Sequence, residues 1–220
     1  METLQNQRSV NYFRVAWQSA LAAAFCLGLP AGLSLWLIVI RQVFPSALVT
    51  QAVNVFQANG LNRIYVLAVC SLMWSFLLAR ISGYRPWWKI GIATVLGIFI
   101  GWFSPLSNID AWFGEGTPVH VVYAAAMCGI VAATTLFVGL SYGIVLRHVK
   151  AALVIAASTA LVAVVTVLMT ILVFDRSGIR VGGTVPLAMS KVTVAVLVTA
   201  AMTGGTALGV TFSRFAADDR

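Results

Sequence analysis

The residues that could transfer protons or hold ions lie outside the apolar segments of this sequence. All six acidic residues do so: Glu2, Asp110, Glu115, Asp175, Asp218 and Asp219. A charged group inside a bilayer is costly, so a transporter that keeps one there usually uses it. We therefore expect that the chain does not drive transport with protons through its own side chains. Coupling to an ion held by backbone carbonyls stays open.

The two histidines do not form a haem site. His120 and His148 lie 28 residues apart on one predicted helix, a separation of about 42 Å at the helical rise. His120 alone is either a ligand for a pigment or metal or, as we favour, an interfacial histidine. The cysteines lie in apolar runs without a CxxC pattern, which indicates packing residues: Cys26, Cys70 and Cys128. The sequence predicts no cofactor and no metal.

Signatures of enzymes are not apparent. Neither the zinc-protease pattern HExxH nor a P-loop occurs. The pair Gly182–Gly183 follows no predicted strand and belongs to a loop. We predict that the chain is not an enzyme.

Hydroxyl groups form two stripes on the last two apolar segments, three on each helical face: Thr159, Thr166 and Thr170, then Thr199, Thr203 and Thr206. One interpretation is a polar path for a small solute. The other, which we favour, is that each hydroxyl bonds the carbonyl one turn back or ties neighbouring helices together.

Basic residues flank the apolar segments on both sides. One group is a candidate for binding an anion or an acidic lipid headgroup: Arg41, Arg63, Arg176, Arg180 and Lys191. We favour the simpler interpretation that these side chains anchor helix ends at the interface. For the segment Arg80–Lys89, with its Trp87–Trp88 pair, we favour contact with lipid headgroups over docking of a partner.

These residues are carried by a chain whose composition requires lipid. Of its 220 residues, 60% are hydrophobic and 9% charged, and the mean hydropathy is +0.96, whereas a soluble domain carries about 25% charged residues. The net charge of +8 does not indicate a nucleic-acid partner, because the 14 basic residues occur singly between apolar runs.

The apolar runs predict an all-α integral membrane protein with six transmembrane helices in one bundle, a single domain over residues 1–220. A span needs about 20 apolar residues. The predicted spans cover residues 15–40, 64–80, 87–103, 119–146, 151–174 and 191–212. Between the first two, Ser46, Thr50, Asn54 and Gln57 draw one polar stripe, which predicts an uncharged interfacial amphipathic helix over residues 44–58. A re-entrant hairpin is the less favoured alternative.

The distribution of cations orients the bundle. With the N-terminus inside, nine Lys and Arg residues fall on the inner side and five on the outer side, so the positive-inside rule predicts that both termini are cytoplasmic. The first span, preceded by a polar segment without a small-residue cleavage site, is expected to be a retained signal-anchor. The expected location is the plasma (inner) membrane. Most tryptophans fall near span ends, and Trp74, inside a span, is the exception.

Small residues at a spacing of four predict close helix contacts. Four GxxxG pairs occur within the predicted spans: Gly28 with Gly32, Gly97 with Gly101, Gly139 with Gly143, and Gly205 with Gly209. Small residues let helix backbones approach, which matters because lipid supplies no hydrophobic drive for helix association. Pro30 is expected to kink the first span.

Two functions fit these features. The favoured one is a non-catalytic structural or accessory subunit of a larger membrane complex, with membrane lipids and other membrane protein subunits as partners and no nucleic acid. The alternative is a transporter or substrate-binding component for a small neutral or anionic solute. The hydroxyl stripes and the cationic rim motivate the alternative, whereas the small-residue faces and the lack of charge inside the spans motivate the subunit.

Overall fold

The structure, a computed structural model, describes residues 11–30, 51, 69–176 and 186–218. Within these ranges the chain is helix and turn without a strand. Four of the helical segments are long and apolar enough to cross a membrane: Trp87–Ile109, His120–Val145, Val149–Arg176 and Val192–Ala217. The prediction of an all-helical membrane protein is therefore confirmed at this level.

Six α-helices are described. They are α1 Tyr12–Ala23, α2 Ser71–Ser82, α3 Trp87–Phe103, α4 Val119–Val145, α5 Val149–Arg176 and α6 Pro186–Asp218, with a 3₁₀ helix at Pro105–Trp112 between α3 and α4. The first predicted span, 15–40, is described only as far as residue 30, and the second, 64–80, only from residue 69. The predicted interfacial helix over residues 44–58 lies outside the described residues, apart from Gln51.

The first helix widens before its proline. The side chain of Asn11 caps α1 by accepting the Arg14 N–H at 3.0 Å. A π-helical turn then covers Ala24–Gly28, and the Leu29 N–H donates to the Ala24 carbonyl five residues back. Pro30 has no N–H for the carbonyl four residues back, and a wide turn is one way in which helices accommodate such a loss. The kink that the sequence predicts at Pro30 stays a prediction.

Short turns join α2 to α3 and α4 to α5. Gly83 ends α2 with φ 71°, a left-handed conformation that glycine adopts without steric cost. Between α4 and α5, Arg147 takes φ 53°. His148 then caps α5, since its Nδ1 accepts the Ala151 N–H at 3.2 Å.

The six helices pack as a closed ring. Each helix contacts the next along the chain where both are described, and α6 returns to contact α1 and α2. Neighbours α3 and α4 run antiparallel, because Gly97 meets Val138 while Gly101, one turn on, meets Thr134. The segment from α1 to the π-helical turn likewise runs antiparallel to α6, because Gly28 meets Val198 while Ser19 meets Gly209. The start of α1, the two short turns and the end of α6 therefore share one end of the ring, which we call the basic end.

The interior contains two apolar clusters. The larger lies toward the basic end and is built around Trp74, Leu78, Ile90, Tyr142, Ile155 and Phe212. The smaller lies between α4, α5 and α6 and contains Met127, Val131, Ala163, Val167, Val192, Val196 and Ala200. Large apolar side chains such as Leu161 and Val173 of α5 point outward and are more than half exposed. A membrane helix presents such a face to lipid.

Candidate functional site

A buried chain of polar side chains lies where α2, α3 and α4 meet. The indole N–H of Trp74 donates to the Tyr142 hydroxyl at 2.9 Å, and that hydroxyl lies 2.6 Å from Oγ1 of Thr94. Thr94 donates to the Ile90 carbonyl at 2.7 Å. Because a threonine hydroxyl has one proton, which here goes to the carbonyl, Tyr142 is the donor to Thr94. The hydrogen bonds therefore run in one direction, from an indole N–H to a backbone carbonyl.

The side chains around this series of hydrogen bonds include no acid or base that could transfer a proton. Ser75 donates to the Ser71 carbonyl at 2.6 Å and lies 3.1 Å from Thr94 Oγ1. The ring of Phe212 packs edge-on against Tyr142, with centroids 5.4 Å apart. Trp74, Ser75, Thr94 and Tyr142 are all at most 1% exposed. No carboxylate, imidazole or amine takes part, so the arrangement holds three helices in register and lacks an acid or base active near neutral pH.

The predicted polar path forms a contact between α5 and α6. The hydroxyl of Thr203 donates to Thr166 at 2.9 Å, and those of Thr170 and Thr199 lie 3.1 Å apart. We call these four residues the threonine interface. Thr166, Thr170 and Thr199 also donate to carbonyls one turn back, at 2.7–2.8 Å. Both bonding modes favoured from the sequence occur here, and the bond from Thr203 to Thr166 is the one that joins the two helices.

The other two threonines of the stripes lie elsewhere. Thr159 is buried and donates to the Ile155 carbonyl at 2.6 Å. Thr206 faces α1, with its hydroxyl 2.8 Å from the Met202 carbonyl and 3.5 Å from that of Ala16. The structure therefore brings four of the six threonines together and leaves two at separate helix contacts.

Glycine pairs mark where α4 meets its two neighbours. A Cβ added to Gly97 or Gly101 of α3 would lie 2.6 Å from Val138 Cα or 2.8 Å from Thr134 Cα of α4. On the other side of α4, a Cβ on Gly139 or Gly143 would collide with the α5 backbone at Ala156 or Ala152. We call these four positions the glycine interfaces. They bring the helix backbones into direct contact and leave no room for side chains between them.

The contact between α1 and α6 is also close, but here small side chains of α1 pack against the glycines of α6. A Cβ on Gly205 would collide with Ala23, and one on Gly209 would collide with the side chain of Ser19. The Ser19 hydroxyl is buried and has no hydrogen-bond partner in the described part of the chain. Ser213, one turn beyond Gly209, is the second such hydroxyl there. The first GxxxG pair is only half described, since Gly32 lies outside the described residues.

A serine pattern that the search for enzyme signatures missed lies inside α4. Residues 139–143 read GxSxG, the pattern of a nucleophile elbow. An elbow needs a strand-to-helix turn that exposes the serine, whereas Ser141 lies inside a 27-residue helix, about one turn before its end at Val145. Both glycines of the pattern pack against α5. In this structure the pattern is a helix-packing motif.

The predicted rim cations fall mostly beyond the described residues. Arg176 ends α5 and is exposed. Arg41, Arg63 and Arg180 lie outside the described residues, and nothing is described of the Lys191 side chain in α6. The basic end is better described. Its Lys and Arg side chains are all exposed or half-buried: Arg14, Arg80, Arg85, Lys89, Arg147, Lys150 and Arg214.

The two histidines lie at opposite ends of α4, as their spacing requires. His120 is in the first turn of α4, and His148 lies in the turn that follows the helix. The ring of His148 also packs against Phe215, with centroids 5.7 Å apart. Within the ranges that the structure describes, no three His, Cys, Asp or Glu side chains are grouped so as to hold a metal ion.

Comparison with known proteins adds no identification. No protein-family model, curated protein or solved structure matches this chain.

Proposed function

We propose that this chain is a non-catalytic subunit of a larger membrane complex. The observation that carries the proposal is the threonine interface. Across it the Thr203 hydroxyl donates to Thr166, and the Thr170 and Thr199 hydroxyls lie 3.1 Å apart. Thr166, Thr170 and Thr199 donate to carbonyls of their own helices. The stripes that could have lined a solute path are thereby used to close one helix on another.

The remaining described interior supports the same function. The glycine interfaces bring α3, α4 and α5 into backbone contact, and the polar chain from Trp74 to Ile90 satisfies its own donors. None of the described side chains buried in the ring is a carboxylate, an imidazole or an amine. A protein of this kind has packing surfaces but no described group for chemistry, so we assign its role to association with other membrane subunits.

Six spans, both termini in the cytoplasm and a plasma (inner) membrane location complete the proposal. Seven described Lys and Arg side chains share the basic end, and Arg176 is at the other. The acidic side chains Glu115 and Asp175 lie at that other end as well. The positive-inside rule therefore supports a cytoplasmic basic end.

Partner recovery tests the proposed role. We expect the full-length chain, crosslinked in its own membrane and extracted in mild detergent, to retain the same partner proteins at fixed stoichiometry in repeated preparations. Native mass spectrometry of the uncrosslinked complex gives that stoichiometry. A monodisperse lone chain that is stabilised by a solute and takes it up saturably in liposomes would instead establish the transporter alternative.

Cysteine labelling tests the orientation in a chain whose native cysteines are replaced by alanine. Gly114→Cys suits the outer side, since a Cβ there meets nothing within 4 Å, and Lys150→Cys suits the inner side because Lys150 is exposed. An impermeant thiol reagent applied to intact cells should label the first and spare the second. The reverse pattern would invert the orientation.

A further inference from the structure

A groove lies at the basic end between α2, α3 and the turn that joins them. It encloses about 280 Å³ and is lined by Phe76, Ala79, Arg80, Gly83, Tyr84, Arg85 and Trp87. Gly83 turns the chain with a positive φ and adds no side chain to the groove. The groove therefore places two arginines beside an apolar wall, Arg80 in the last turn of α2 and Arg85 in the turn that follows it.

Aromatic stacking shapes the wall. The Arg80 guanidinium carbon lies 5.8 Å from the centroid of the Phe76 ring, and Phe76 meets Trp87 edge-on at 6.2 Å. A guanidinium over an aromatic face is held by the ring quadrupole while its edge donors stay available. Arg80 is thus oriented at the rim, and its N–H groups remain able to bind an oxyanion.

The electrostatic field in the groove is positive. Arg80 and Arg85 are both exposed. The groove also includes the start of α3, where Pro86 is the N-cap and no side chain caps the helix, and the N-terminal end of a helix dipole favours a negative charge. Lys89, held 5.6 Å from the Trp88 ring, adds a further cation in the same turn. The helix α6 ends at Asp218, at this end of the ring.

Exposed apolar side chains of α2 continue from the groove away from the basic end. Leu72 lies one turn from Phe76 on the same face of α2, and a Leu72 methyl group is 3.1 Å from where a Cβ on Gly91 of α3 would lie. Leu72, Met73 and Phe76 are each more than 40% exposed. An anion bound at the arginines would therefore have an apolar surface directly beneath it, on the side that faces lipid.

We propose that this groove binds one acidic phospholipid. Its phosphate accepts hydrogen bonds from the guanidinium groups of Arg80 and Arg85, and an acyl chain lies along Phe76 and Leu72. The combination of a cationic rim with an apolar wall fits an amphipathic ligand, whereas a free phosphate would leave the wall unused. The site lies at the end of the helices, where lipid headgroups meet a membrane protein. In the proposed orientation this end faces the cytoplasmic leaflet, which carries the acidic lipids.

Lipid titration of the delipidated full-length chain, followed by native mass spectrometry, tests the proposal. We expect one phosphatidylglycerol to be retained about tenfold more tightly than phosphatidylcholine. Arg80→Gln and Arg85→Gln should each weaken the retention of phosphatidylglycerol about fivefold and leave phosphatidylcholine unchanged, as expected for loss of one cation near an anionic headgroup. Arg80→Lys, which keeps the charge and loses the planar fork, should fall between Arg80→Gln and the unmodified chain.

Lys150→Gln is the matched control, because it removes one exposed cation at the same end from a helix that packs against α4 and α6. It should retain phosphatidylglycerol normally. Equal retention of both lipids, or an equal loss in Lys150→Gln, would overturn the proposal. Competition by glycerol phosphate as strong as that by phosphatidylglycerol would show that the ligand is a free phosphate. A melting temperature without lipid that matches the unmodified chain confirms that each variant is folded.

Discussion

Two parts of the ring hold their helices together in different ways. At the glycine interfaces, α4 touches α3 and α5 backbone to backbone, with contacts such as that between Gly97 and Val138. At the threonine interface, α5 and α6 are joined by side-chain hydrogen bonds, such as that from Thr203 to Thr166. In lipid there is no hydrophobic drive for helix association, so close packing and hydrogen bonds must stabilise the contacts between helices. This one bundle uses the first on one side of α5 and the second on the other.

The two solutions differ in what they tolerate. A backbone contact has no space for an added atom, because any such atom must push the helices apart over their whole contact. A hydroxyl pair is adaptable, because each threonine keeps its bond to its own helix when the partner is lost, as Thr170 does with the Thr166 carbonyl. Substitutions should therefore be costly at the glycine interfaces and mild at the threonine interface.

The largest effect is expected from Gly143→Ala. Its new methyl group would collide with the backbone of Ala152, and overpacking of this kind costs about 1–3 kcal/mol. The free energy of unfolding in mixed detergent micelles, or the melting temperature, measures the loss. Gly204→Ala is the matched control in α6, where the nearest atom to a new Cβ is Ala163 Cβ at 3.5 Å, an ordinary contact. Equal stability of the two variants would remove the distinction between tight and loose glycines.

An intermediate effect is expected from Tyr142→Phe. The variant removes the hydroxyl that accepts from Trp74 and donates to Thr94, and an orphaned buried N–H costs about 1–3 kcal/mol. The control is Tyr123→Phe, whose hydroxyl pairs with Thr193 at 2.7 Å in a part-buried position. We expect the control to lose less stability in the same unfolding assay. A larger loss at Tyr123 would mean that the buried chain of hydrogen bonds is not what aligns α2, α3 and α4.

The smallest effect is expected from Thr203→Val. It removes the hydrogen bond to Thr166 across the threonine interface, and interhelical hydrogen bonds of this kind average about 0.6 kcal/mol. Thr211→Val is the control, because that hydroxyl donates to the Ala207 carbonyl of its own helix, at 2.6 Å. The difference between the two variants isolates the interhelical bond. A loss of stability in Thr203→Val as large as that in Gly143→Ala would contradict the expected difference between the threonine interface and the glycine interfaces.

The sequence predicts the helices better than it predicts their contacts. The apolar run over residues 87–103 coincides with α3, which begins at Trp87 and ends at Phe103. The run over 191–212 underestimates α6, which spans Pro186–Asp218. The reason is physical: hydropathy marks the part of a helix that lipid surrounds, whereas backbone hydrogen bonds continue into polar sequence beyond it.

The contacts depend on which faces meet, and spacing within one helix does not contain that information. GxxxG marks residues that can pack closely, but only the folded ring shows that Gly139 meets Ala156 and Gly205 meets Ala23. Trp74 stands out as a tryptophan inside a predicted span, yet its partner Tyr142 is 68 residues away. The α2–α3 groove likewise depends on the conformation of a four-residue turn. Long-range pairs of this kind are set by how all the helices pack against one another.

Cysteine accessibility at the threonine interface tests the central claim, that α5 and α6 close on each other and leave no solute path. Thr170→Cys and Thr203→Cys are introduced singly into the chain with Cys26, Cys70 and Cys128 replaced by alanine, and a water-soluble thiol reagent is applied to each side of the membrane in turn. Gly114→Cys verifies that the reagent is active. The closed interface predicts that neither threonine position is labelled from either side. Labelling of both from one side would show a water-filled path and would contradict the assignment of the chain as a non-transporting subunit.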